Sequence, residues 1–478
     1  MFVHFVISVS YRFQMTLLNS DFQSVRDWDN KHFLHPWEGM SYLGQNERTF
    51  AETGLGVHVV TEDGKRLIDG PAGMWCVQLG YGNTEIADAM AQQAKEMAYF
   101  SPFNNANSAP SRLAYEIAKR TPGDLNHVFF TTGGSTAVDS AIRFVQFRNN
   151  LLGKPEKKIV ISRQKAYHGS TYLAASVSGK ERDKGWLDQA SDLTRFLPNV
   201  NPYMRRPDQT INDFLDEKIA DLENTILQTG ADKVAAFIAE PILCSGGVIV
   251  PPRGYHQRCQ EICRNYDVLY ISDEVVTGFG RLGHWFASED VFGIKPDIIT
   301  CAKGMTSGYV PMGACIISDR LIADVSGDNG QDATFSNGFT YSGHPVSAAA
   351  GLKTIEIMER DGVLEHVRAI TPLFEERLQA LADLPLVGDA RGMGLVGCVE
   401  CVADAEADNL LDLDKSVGTM IDHHCQENGL ILRPIINMCV FSPPLIITEG
   451  ELNEMFDILE KGIRLTTEDL TRQGVFRT

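Results

Sequence analysis

Ile271-Ser272-Asp273-Glu274-Val275 and, further along, Thr300-Cys301-Ala302-Lys303-Gly304 decide how this chain reads. In each stretch an apolar strand ends on an ionisable side chain, a carboxylate at Asp273 and an amine at Lys303. A buried amine close to a buried carboxylate is the pair that pyridoxal 5'-phosphate requires. The amine holds the cofactor's aldehyde as a Schiff base, and the carboxylate keeps the pyridine nitrogen protonated so that the ring withdraws electrons. Each residue also has a plainer reading: Lys303 as a solvated strand end, Asp273 as a helix cap or as the ion-pair partner of Arg281.

Outward from these two stretches, strands are expected at 128–130, 159–161, 235–238, 268–271, 298–299 and 315–317, with amphipathic helical runs such as 211–228 and 255–265 between several of them. The apolar runs are continuous rather than alternating, as in strands covered on both faces, and helices between them imply a largely parallel sheet. Ligands of such sheets collect at the carboxyl ends of strands, where Asp273 and Lys303 fall. From 345 the texture changes to a long helical region (345–382), short strands at 394–400, 430–432 and 438–441, and a terminal helix after Thr448. A hairpin over 56–70 turns at Glu62-Asp63-Gly64-Lys65. The expected fold class is α/β, with a large cofactor-binding domain of mostly parallel sheet at 76–344. A smaller α+β domain follows at 345–478, joined by an N-terminal segment, 1–75.

A length of 478 residues allows two domains with buried cores, and 44% hydrophobic with 22% charged residues is ordinary for a soluble enzyme. The net charge of −19 opposes nucleic acid and anionic membranes as partners. Residues 1–10 are apolar but too short to span a membrane, and they lack the basic start and cleavage site of a signal peptide. Residues 1–14 read as a leader, or as the product of a start codon upstream of Met15. Ten cysteines scattered singly argue for a reducing, cytoplasmic setting. Cys259 with Cys263, and His423-His424-Cys425, lack a second pair at ligand spacing, so no metal site is expected.

Three further motifs fit the same cofactor. Gly133-Gly134-Ser135-Thr136 follows the strand at 128–130 and opens a helix, the arrangement in which backbone amides receive a phosphate, although an ordinary serine cap would look similar. Tyr167-His168-Gly169-Ser170 offers Tyr167 to one face of the ring, with Val275 on the other; plain core packing is the alternative. Glu240-Pro241 closes another buried strand and is expected near the ring. Gly278-Phe279-Gly280-Arg281 lacks the third glycine of a dinucleotide fingerprint and is rejected as a nicotinamide site.

Together these segments resemble the class III aminotransferases, the ω-transaminase branch of the fold-type I pyridoxal-phosphate enzymes, from about Trp37 to the terminal helix. The most specific pieces are Tyr167-His168-Gly169, Ile271–Val275 with Gly278–Arg281, Lys303-Gly304, and Phe339-Thr340-Tyr341-Ser342-Gly343-His344-Pro345. The resemblance implies a homodimer, or a tetramer, with active sites at the subunit interface. It places Gly134, Ser135, Tyr167, His168, Glu240, Asp273, Val275 and Lys303 around the cofactor, with Thr340 reaching the phosphate of the other chain. Thr136 departs from the acidic residue usual after the phosphate-loop serine.

Within the family, ornithine-type members carry an arginine where this chain has Val440, in Cys439-Val440-Phe441-Ser442-Pro443-Pro444. An apolar side chain cannot hold a carboxylate. Arg433, in Leu432-Arg433-Pro434, instead matches the movable arginine of amine–pyruvate and β-alanine–pyruvate transaminases, against the plainer reading of a surface arginine. Trp75 and Phe103, the latter from the neighbouring chain, match aromatics that line the substrate entrance. The resemblance thus implies transfer of an amino group from an ω-amino acid or primary amine to a keto acid, pyruvate giving alanine. Lys303 would move the proton. A taurine–pyruvate aminotransferase, a same-fold decarboxylase or aminomutase, and a non-catalytic binding protein are the alternatives.

Overall fold

The computed structural model describes residues 22–402 and 414–476; the leader expected at 1–14 lies outside them. Two compact units result: the described residues up to 54 with Val59–Arg66, and Leu55–His58 with the described residues from 67 onward. In the first, a helix at Phe22–His32 leads toward strand β1 (Ala51–Leu55), and ion pairs join Arg26 to Glu62 and Arg48 to Glu38. Strands β2 (His58–Thr61) and β3 (Arg66–Asp69) form the expected hairpin, closed by Thr61 N donating to Lys65 O at 2.9 Å.

The second unit is built on a seven-stranded sheet. Its strands are β4 (Leu125–Thr131), β5 (Ile159–Arg163), β6 (Thr194–Leu197), β7 (Val234–Ala239), β8 (Leu269–Asp273), β9 (Ile298–Cys301) and β10 (Gly313–Ser318), in the order β4-β10-β9-β8-β7-β5-β6. All six residues of β7 and all six of β10 are buried, as continuous apolar runs require when both faces are covered. Helix Gly134–Leu151 lays Val138, Ala141, Ile142 and Val145 on this core, the burial of each valine and of the isoleucine contributing about 1.5–3 kcal/mol.

The sheet is parallel except for β10, which runs antiparallel to both β9 and β4. Between β9 and β10 the chain makes only a short 3-10 turn at Lys303–Thr306. A parallel crossover needs a dozen or more residues and usually a helix, so the chain returns directly. Strand β6 has a polar, half-exposed sequence, Thr-Arg-Phe-Leu, and carries no apolar run that would announce it.

Beyond 344 the single helical region expected at 345–382 is two helices, Pro345–Arg360 and Val363–Ala380, broken at Gly362 with φ +64°. The strand expected at 394–400 is the second half of a hairpin, β11 (Val387–Met393) with β12 (Val396–Cys401), turning at Gly394. Three short strands follow: β13 (Leu430–Ile431), β14 (Arg433–Ile435) and β15 (Met438–Phe441). The second sheet has the order β11-β12-β15-β14, while β13 pairs in parallel with Ile68 and Asp69 of β3. The terminal helix Glu449–Arg472 starts at a capping box between Thr448 and Glu451, and Phe456 packs on Phe374 and Phe441 with ring centroids 5.3 and 5.7 Å away. No helix among the described residues is long and apolar enough to cross a membrane.

Candidate active site

Strand register assembles the site at one edge of the large sheet. In the parallel β8–β9 pair Asp273 stands opposite Thr300, so Lys303 emerges just past Asp273's neighbour. In β7–β8 Ala239 stands opposite Ser272, which sets Glu240 beside Asp273. The ends of β4 and β5 open on the same edge and deliver Gly133-Gly134 and, through a short loop, Tyr167-His168.

Asp273 is buried and held by three contacts, which leaves acceptor capacity on its oxygens. His168 Nδ1 lies 2.6 Å from Oδ2, while Thr300 Oγ1 and Val275 N donate to Oδ1 at 3.1 and 3.2 Å. A carboxylate only accepts, so Nδ1 carries the hydrogen and Nε2 faces the Ser162 hydroxyl at 3.3 Å. The His168 ring therefore sits behind Asp273 and orients it. Arg281, the ion-pair partner of the plainer reading, binds elsewhere: its guanidinium donates to Gln78 Oε1, Leu395 O and Pro443 O.

Lys303 is half-buried at the start of its turn, with φ +43°. Burial lowers the pKa of its ammonium group, and the Asp273 charge acts the other way. Its Nζ lies 5.1 Å from the centre of the Trp75 ring, and the Arg433 guanidinium carbon lies 5.6 Å from the same ring. Trp75 is held in the left-handed region, φ +59°, by a loop that Asp69 gathers: Asp69 Oδ2 accepts from Gly73 N at 2.6 Å and Tyr81 Oη at 2.5 Å.

Glu240 is 6% exposed; burial raises its carboxyl pKa and the neighbouring His168 opposes that. Its Oε1 accepts from Tyr167 N at 3.1 Å, and Arg163 Nη2 donates to its main-chain oxygen at 2.5 Å. Tyr167 Oη and Ser170 Oγ are 2.9 Å apart.

Helix Gly134–Leu151 begins with no side-chain cap, which leaves its first amides for another acceptor. Ser135 Oγ accepts from Ser170 N at 3.0 Å, tying the two loops together. A Cβ at Gly134 would come 3.0 Å from Val275, so these two residues form a continuous floor. Thr136 turns its hydroxyl to Gly133 O at 2.9 Å and closes the turn in place of the usual acidic residue.

Arg433 stands directly opposite Val440 in the β14–β15 pair, so the cation has moved one strand across from the ornithine-type position. Burial lowers its pKa, and its Nε, like Trp75 Nε1, is buried without a hydrogen-bond partner. Two unpartnered donors beside an aromatic wall suit an incoming carboxylate. Thr340 and Phe103 belong to a different surface: Thr340 is exposed and its carbonyl accepts from Tyr99 Oη at 2.8 Å. Phe103, 66% exposed, lines a cavity of about 440 Å³ with Phe100, Pro110, Phe130, Gly338 and Ser342. Asp69, Gln78 and Lys180 escaped sequence reading, since none sits in a motif, and the partners of Gln78 and Lys180 lie 65 or more residues away along the chain.

An uncapped helix start, a buried carboxylate and a buried amine on one sheet edge suit a phosphorylated pyridine aldehyde, and they define a fold-type I pyridoxal-phosphate-dependent transferase. The chain belongs to the class III aminotransferases, whose family model spans residues 42–463. It is 38% identical over 447 residues to the putrescine–pyruvate aminotransferase of Pseudomonas aeruginosa, covering 91% of this chain and 95% of that one. Identity to the mitochondrial γ-aminobutyrate transaminase 1 of Oryza sativa subsp. indica is 37%, covering 87% and 81% of the two chains. The solved ω-transaminase of Pseudomonas jessenii in complex with PMP superposes with a TM-score of 0.89 at 34% identity, over 93% of this chain and 98% of that one.

Proposed function

We propose that this aminotransferase moves the amino group of an ω-amino acid or primary amine to pyruvate, releasing alanine. Arg433 carries the reading: a half-buried guanidinium with an unpartnered Nε, against Trp75 and across from Val440, offers an anion site beside apolar and aromatic side chains. Such side chains accept the carbon chain of an amine, and the guanidinium takes the carboxylate of the keto acid in the second half of the cycle. The similarity to a putrescine–pyruvate aminotransferase supports pyruvate as acceptor.

Pyridoxal phosphate, when bound, supplies the electron sink that makes the donor carbon acidic. Lys303 holds it, and Nζ then moves a proton from the donor carbon; burial, by lowering the amine's pKa, favours the neutral base. With the cofactor bound, Asp273, aimed by His168, would accept the hydrogen bond of the ring nitrogen, Gly134 and Ser135 would hold the phosphate, and Tyr167, Val275 and Glu240 would line the ring. Phe103 and Thr340 serve the site of a second copy in a homodimer. With all ten cysteines free and nine of them buried, the cytoplasm is the proposed location.

A panel of amines and ω-amino acids, assayed with pyruvate and with 2-oxoglutarate, tests this. Faster turnover with pyruvate is expected, and a preference for 2-oxoglutarate refutes the role given to Arg433 and Val440. Lys303→Ala is expected to abolish turnover and the absorbance of the covalently held cofactor; normal activity in that variant would falsify the assignment.

A further inference from the structure

Lys180 follows helix Tyr172–Val177 and lies apart from every motif read in the sequence. Its Nζ is 5.4 Å from the centre of the Tyr167 ring and donates to Ser245 Oγ. Tyr167 is the ring expected over the cofactor, so the amine lies at the edge of the candidate site, and Arg433 is close enough for its charge to act on both Tyr167 and Lys180. The other charged groups around Lys180 are Asp183, Arg182 and Glu240. Asp183 is engaged by Arg182 at 3.1 Å, and Glu240 is buried, with its pKa raised.

The Lys180 ammonium therefore has one neutral partner, Ser245, and two of its three N–H bonds remain for a ligand. Burial pushes its pKa down to about 8, and the Arg182 and Arg433 charges act the same way, against Asp183 and Glu240. A carboxylate arriving beside Lys180 would take up its free N–H bonds and be attracted by both Lys180 and Arg433. An ammonium arriving there would meet two like charges.

We propose that Lys180 is the specificity-determining cation of the donor pocket, selecting donors whose far end carries a carboxylate over those whose far end carries an ammonium. This rests on reading the chain as an amine–pyruvate transaminase and extends it to the donor class. Lys180 acts on the end of the donor remote from the reacting carbon, so its effect falls on KM and on the ratio between donors.

The test compares kcat/KM for 4-aminobutanoate, 1,4-diaminobutane and butylamine with pyruvate, in the wild-type holoenzyme, Lys180→Met and Lys180→Arg. Lys180→Met is expected to lose about tenfold on 4-aminobutanoate, mainly through KM, and to gain on the diamine, with butylamine changing by an intermediate amount. Lys180→Arg should retain the wild-type ranking. In the wild type the advantage of 4-aminobutanoate over the diamine should shrink as pH rises through about 8, and in Lys180→Arg it should not. An unchanged donor ratio in Lys180→Met, or an equal loss on all three donors, overturns the proposal. A wild-type enzyme that uses another keto acid and not pyruvate overturns only the acceptor assignment, because the donor ratio is then measured with that acid.

Discussion

Residues that look alike in sequence are given different tasks here by what surrounds them. Asp273 and Glu240 are both strand-end carboxylates, yet Asp273 receives three hydrogen-bond contacts on its two oxygens while Glu240 receives one, from Tyr167 N. His168 and His256 diverge in the same way. His256 is buried between Tyr270 Oη at 2.7 Å and Pro241 O at 2.9 Å, and burial with the nearby Arg163 charge pushes its pKa down to about 3. Unfolded, a histidine titrates near ~6.5. Between these values the unfolded chain binds a proton that the native chain refuses, so the His256 contribution is complete above about 6.5 and is lost as pH falls toward about 3. Urea unfolding midpoints should fall over that window, and the His256 imidazole resonance should stay in place from pH 8 to 4; a shift centred near ~6.5 would refute the assignment. Lys303 and Asp273 were legible because each ends an unmistakable apolar run. Lys180, Asp69 and His256 were not, since their partners lie on other loops and strands.

At the scale of elements, strand ends and the loops that leave them make the pocket. The Tyr167–Ser170 loop can lie against the phosphate loop only because Gly169 has φ +135° and no side chain. A Cβ there would come 2.6 Å from Ser135 Cα and would also strike the Ser135 side chain. Gly169→Ala is therefore expected to push the two loops apart at a cost on the order of 1–3 kcal/mol, weakening cofactor affinity by about tenfold to a hundredfold. Equilibrium titration of the apoenzyme with pyridoxal phosphate reads this directly, and wild-type affinity would rule out the loop contact as a determinant. Continuous apolar strands and the helix starting at 134 were readable from periodicity. β6, β11 and β14 were not, because half-exposed strands of mixed polarity are stabilised by neighbours rather than by their own pattern.

On the scale of the whole molecule, one surface stands apart. Phe100 and Phe103, which line the cavity, and Tyr341, next to the lining residue Ser342, are 52, 66 and 58% exposed on a chain carrying a net charge of −19. Water-exposed aromatics clustered around a cavity are stabilised by a partner that covers them. If the proposed homodimer forms through this surface, Phe103→Asp shifts it from dimer to monomer in sedimentation velocity and lowers activity by at least about tenfold. A dimer of full activity in that variant places the interface elsewhere.

The order of residues by itself determined the α/β class, the carboxyl-edge placement of Asp273 and Lys303, and the exchange of an arginine for Val440, because apolar periodicity and side-chain chemistry are local properties. Only the tertiary structure decided that His168 stands behind Asp273, that Arg433 faces Val440 across a strand pair, and that Lys180 lies over the Tyr167 ring. Those relations depend on strand register and loop docking, which bring together groups that are distant along the chain and whose charges act only across the space the fold closes.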